Sequence, residues 1–75
     1  MWRVTIQCSA ESWSKHAPAF KAIAASYAST PLASKKMKED ERRIMEYQIE
    51  DLGAAEEFIE ACMALDGFTA TFEAF

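Results

Sequence analysis

Ile44–Phe75, IMEYQIEDLGAAEEFIEACMALDGFTATFEAF, falls into three periods. Ile44 to Glu50 alternates, with Met45, Tyr47 and Ile49 to one side and Ile44, Glu46, Gln48 and Glu50 to the other. That two-residue period marks a half-buried strand. Asp51 follows, with the short acceptor side chain of a helix N-cap. Ala55, Phe58, Ile59, Cys62 and Leu65 then recur at helical spacing, and Glu56, Glu57 and Glu60 fall off that stripe. Gly67 is expected to end the helix as its C′ residue. Phe68, Ala70, Phe72 and Ala74 alternate with Thr69, Thr71, Glu73 and Phe75 in a last strand.

Working outward, the first half repeats the plan. Trp2, Val4, Ile6 and Cys8 alternate with Arg3, Thr5 and Gln7, so Trp2–Cys8 reads as a strand. A helix is expected from Ser14, whose hydroxyl can cap it and which leaves Pro18 in the first turn, where a missing N–H costs least. Phe20, Ile23, Ala24 and Tyr27 continue it, and Pro31 is expected to mark its end. Ser34–Arg43, SKKMKEDERR, reads as a hairpin turning at Glu39-Asp40-Glu41, with a solvated loop or a short helix as alternatives. The order β-α-(β)-β-α-β with both helices on one sheet face is a ferredoxin-like α+β sandwich of three or four mostly antiparallel strands.

Seventy-five residues bound the chain to one domain, 1–75, with a small core. An apolar share of 51 % is too high for disorder. Two cysteines are too few for a disulfide framework, no apolar run is long enough to span a membrane, and Met-Trp-Arg-Val-Thr lacks a signal peptide's apolar stretch. A reducing cytoplasm is the expected location.

No motif for chemistry emerges. His16 with Cys8 or Cys62 would make a nucleophilic pair, but both thiols lie on expected core faces, where burial makes them unreactive. One His and two distant Cys give no zinc spacing. Glu56 and Glu60 could offer oxygens to Ca²⁺ or Mg²⁺, although an exposed Glu-rich helix face is ordinarily just solvated. CSAESWSK could hold an anion at a helix N-terminus with help from Lys15, but it contains no glycine to wrap a phosphate. An RNA-binding sheet needs exposed aromatics. The open face here would show Arg3, Thr5, Gln7, Glu46, Gln48, Glu50, Thr69, Thr71 and Glu73, with Phe75 its only aromatic. No catalytic residue, metal or cofactor is therefore expected. Trp13 reads as a turn residue, either a lid over the core or an aromatic anchor at an interface.

Charge is the distinctive feature. Residues 1–43 hold all eight Lys and Arg and four acids, a balance of +4; residues 44–75 hold eight acids and no base, a balance of −8. Solubility accounts for negative charge but not for the removal of every cation, since mixed signs disperse a protein with less repulsion. A one-sign field steers a protein toward an oppositely charged partner. In size, layers and base-free acidic half, the chain resembles small phage-encoded inhibitors of the anti-CRISPR type. The resemblance implies a non-enzymatic protein of the host cytoplasm whose carboxylates stand in for phosphates on the basic groove of a nucleoprotein effector complex. It implies no direct nucleic-acid or membrane binding. Glu46, Glu50, Glu56, Glu57, Glu60, Glu73 and Trp13 would form the contact, while Lys35, Lys36 and Lys38 depart from a uniformly acidic mimic. The alternatives are a self-associating homodimer through Ile44, Phe75 and Trp13, and a small-ligand domain with a site near residues 9–16.

Overall fold

The computed structural model describes all 75 residues. The elements run β1 (Trp2–Cys8), α1 (Ala10–Ser26), β2 (Ser29–Lys36), β3 (Arg43–Ile49), α2 (Leu52–Met63) and β4 (Phe68–Ala74). The four strands form one sheet in the order β2-β3-β1-β4, every neighbouring pair antiparallel. This is the ferredoxin-like arrangement, and the fourth strand forms.

The core lies between sheet and helices. Val4, Ile6 and Cys8 from β1, Met45 and Ile49 from β3, and Phe68 and Ala70 from β4 meet Phe20 of α1 and Ala55, Phe58 and Cys62 of α2. No polar or charged residue is buried. Phe20 is the hub, with ring centroids 5.9 Å from Tyr47, 6.0 Å from Phe68 and 6.5 Å from Phe58. Tyr27 stacks on Phe58 at 5.6 Å. Aromatic side chains bury large areas, which suits a chain with few core positions.

Several boundaries differ from the sequence reading. Helix α1 starts at Ala10, not after Ser14. Ser9 is its N-cap and accepts from the Ser12 N–H at 3.1 Å, so Pro18 lies inside the helix. The reason is packing. The early start places Trp13 on the stripe of Phe20 and Tyr27, with its ring 5.8 Å from that of Phe20. Trp13 is thus a half-buried helix residue and not a turn residue. The helix also ends at Ser26, well before Pro31, which belongs to β2. Proline is tolerated there because β2 is an edge strand and its register shifts between Pro31 and Ala33.

The β2–β3 hairpin forms. Met37 N donates to Arg42 O at 2.8 Å, Glu41 N to Met37 O at 3.0 Å, and Asp40 Oδ1 accepts from the Arg42 N–H at 3.0 Å. Glu41 supplies the left-handed residue of the turn, with φ 59°. Asp51 caps α2 as expected, accepting from Ala54 N at 2.8 Å. Gly67 is not the C′ residue: α2 ends at Met63 with Ala64 as its cap. Gly67, with φ 84°, instead sits in the following turn, closed by Phe68 N donating to Leu65 O at 3.1 Å. A β-carbon there would lie 1.9 Å from Ser12 Oγ, so the turn also needs glycine for its close approach to α1.

Candidate protein-docking face

The register places the seven candidate residues on three surfaces. Glu46 and Glu73 lie on the open sheet face. Arg3 of β1 faces Gln48 on one side and Glu73 on the other, and the next row joins Glu46, Thr5 and Thr71. Glu73 is not free: its Oε1 accepts from Arg3 Nε at 3.1 Å and also from Nη2. That bond, reinforced by the charges of Glu73 and Glu46, raises the guanidinium pKa still further. The same guanidinium lies over the Phe75 ring, 5.5 Å from its centroid. A base from outside the acidic half therefore compensates the acids of the sheet. The sequence pattern placed Arg3 on this face, but only the register shows which carboxylate it meets.

Glu56, Glu57 and Glu60 lie on the exposed face of α2. The three ion pairs of the molecule are Arg3–Glu73, Lys15–Glu11 and Lys36–Glu41, so none of these three carboxylates has a cation. Glu50 is exposed where β3 leads into α2, and Asp51 beside it is committed to the helix cap. The outer face of α2 thus holds uncompensated negative charge. Glu56 and Glu60, one turn apart, repel each other by a few tenths of a kcal/mol.

Trp13 belongs to the third surface, away from these acids. Arg43 lies over its ring at 4.7 Å from the centroid, a cation–π contact that holds the indole in place. Candidate residue and cation are both engaged within the molecule.

The groups tested for chemistry are placed as follows. Cys8 and Cys62 are free and buried. Burial pushes the Cys62 thiol up to about 12 and raises that of Cys8 as well, against the nearby charge of Arg43. At neutral pH neither supplies a thiolate. His16 packs edge-on to Phe68 at 6.2 Å. No group of three or more His, Cys, Asp or Glu is gathered as a metal site would require. The single cleft, about 520 Å³, lies at the C-terminal end of α1 and not near residues 9–16. Tyr27, Ser29, Gln48, Glu50, Asp51 and Ala54 are among its lining residues. No helix is long and apolar enough to cross a membrane.

No protein-family model and no curated protein sequence matches the chain. Its fold is similar to that of the C-terminal domain of the MgtC protein from Mycobacterium tuberculosis, with a TM-score of 0.68 at 10 % identity, over 99 % of this chain and 85 % of that one. It is also similar to part of a formyltetrahydrofolate deformylase from Pseudomonas putida KT2440, with a TM-score of 0.59 at 15 % identity, over 99 % of this chain but 28 % of that one. At such identities the likeness is one of fold alone, and it is to a small C-terminal domain and to a fragment of an enzyme.

Proposed function

We propose that this chain is a non-enzymatic, cytosolic interaction module that docks the outer face of α2 on a basic surface of a protein target, as the anti-CRISPR resemblance implies. One observation carries the reading: Glu56, Glu57 and Glu60 share an exposed face and have no intramolecular cation. Their mutual repulsion is relieved when Lys or Arg of a partner lies among them, and a one-sign field speeds encounter with such a partner. Glu50 lies before α2 and lines the cleft with Tyr27 and Ala54, so it contributes less. Glu46 and Glu73 contribute less, because Arg3 stands between them and offsets their charge. A groove built for nucleic acid is the chemical match, since its cations are spaced to meet a row of anions. The same carboxylates repel nucleic acid itself.

The test is comparative capture. Immobilised wild-type chain and the triple variant Glu56→Lys, Glu57→Lys, Glu60→Lys are exposed at low salt to a lysate from cells in which the chain occurs. The wild type is expected to retain a basic polypeptide that the triple variant does not, whereas Glu46→Lys retains it. Equal retention by the wild type and the triple variant, or none by the wild type, overturns the reading.

A further inference from the structure

The sheet has two edges, and they are not alike. β2 forms one, carrying Pro31, a register shift between Pro31 and Ala33, and the lysines Lys35 and Lys36. Proline, irregular register and edge lysines all discourage a further strand from adding. β4 forms the other edge. Its seven residues, FTATFEA, contain no proline and no lysine and keep an unbroken register with β1. Its outer row of N–H and C=O groups is an open template for strand pairing.

The helix above this edge is apolar on the corresponding flank. Ala54 lines the cleft together with Tyr27 at the end of α1, so that flank of α2 turns toward α1. Leu52, Ile59 and Met63, at i, i+7 and i+11, share the opposite flank. Because α2 packs on β4 and β1, this flank lies over the free edge of β4. Leu52 is 41 % exposed and Met63 54 %, and Phe72 below them is half-buried.

We propose that this edge is covered by a second copy of the same chain, with β4 pairing antiparallel to β4 about a two-fold axis at Thr71. Each four-stranded sheet then continues into the other. A two-fold interface must be self-complementary, and β4 meets that condition. In this register Thr71 meets Thr71, the small Ala70 meets Phe72, and Phe68 meets the small Ala74. Glu73 meets Thr69 rather than another acid, and Arg3 already neutralises Glu73 within its own chain. The two α2 helices run antiparallel above the joint, bringing Leu52 of one copy toward Met63 of the other. Glu57 and Glu60 point away from this contact, whereas Glu56, four residues after Leu52 and seven before Met63, shares its flank. Thr71 lies outside the docking face, so its variants test the dimer alone.

Sedimentation velocity over a concentration series is expected to show the purified wild-type chain as a dimer that dissociates on dilution. Thr71 is exposed, so its substitution leaves the fold intact by circular dichroism. Thr71→Lys places like charges face to face and is expected to weaken self-association by about tenfold or more. Thr71→Glu does the same, and an equimolar mixture of the two variants restores the dimer. Independently, Thr71→Cys is expected to form a disulfide dimer under mild oxidation, because facing residues in an antiparallel pair lie at disulfide distance. Thr30→Cys on the β2 edge serves as the control, and the buried Cys8 and Cys62 give no background. A wild-type chain that is monomeric throughout, self-association unaffected by Thr71→Lys, or crosslinking of Thr30→Cys as fast as that of Thr71→Cys each overturns the proposal.

Discussion

Pro18 is the ninth residue of the seventeen-residue helix α1 and is exposed. Having no N–H, it leaves the Ser14 carbonyl without its helical donor, and its ring crowds the preceding turn. Pro18→Ala is therefore expected to stabilise the fold by about 1–3 kcal/mol in urea titration; an unchanged midpoint would show that the helix has already absorbed the cost. The same residue explains the misplaced start of α1. Local propensity argued for keeping Pro18 in the first turn, whereas Trp13 against Phe20 favoured the longer helix. The spacing of Trp13, Ala17, Phe20, Ala24 and Tyr27 was legible in the sequence, but the energy of that contact was not. Cys62 yields a second prediction. Its folded pKa, about 12, lies above the ordinary 9.0 because the thiol is buried, so between these values the folded state keeps a proton that the unfolded state loses. Stability is then full below about pH 9 and falls as pH rises toward 12. Cys8 and Tyr47 are raised by burial too and act in the same direction. Urea unfolding at about pH 7.5 and about pH 10, roughly one unit or more either side of the ordinary value, checks this; equal or greater stability at the higher pH would refute it.

At the scale of elements, period and capping carried most of the reading. β1, β3 and β4 alternate as their sequences do, and Asp51 caps α2 as its position implied. β2 was legible only in its second half, because Pro31 reads as a breaker unless the strand is known to be an edge. The turn after α2 was misassigned for a related reason: glycine signals a left-handed residue, but not which of two adjacent turns requires it. Gly67→Ala tests the present assignment. It forces a side chain into φ 84° and toward Ser12 Oγ, and is expected to cost about 1–2 kcal/mol or more. That lowers the melting temperature by roughly 4–8 °C per kcal/mol for a domain of this size. Adding Ser12→Gly is expected to recover only part of the loss, since the contact is relieved and the backbone strain is not. Full recovery would place the whole cost in the contact.

For the whole molecule, the charge split along the chain became a split between surfaces. The sheet acids were expected to lie near one another, and the strand register brings Arg3 among them. The α2 acids remain without a cation. Two surfaces thus adjoin at Glu56: an acidic face on the outside of α2, and the unpaired edge of β4 beneath the apolar flank of Leu52 and Met63. The proposed partners are a basic protein for the first and a copy of the chain for the second, so a dimer would present two acidic faces. The central claim is that α2 carries the partner contact through charge. Its most direct test is the affinity for the captured polypeptide, measured by titration at low and at several-fold higher salt, for the wild type and for the Glu56→Lys, Glu57→Lys, Glu60→Lys variant. The account predicts wild-type affinity that falls about tenfold or more as salt screens the contact, and no measurable binding by the variant. Affinity independent of salt, or equal for the two proteins, would contradict it.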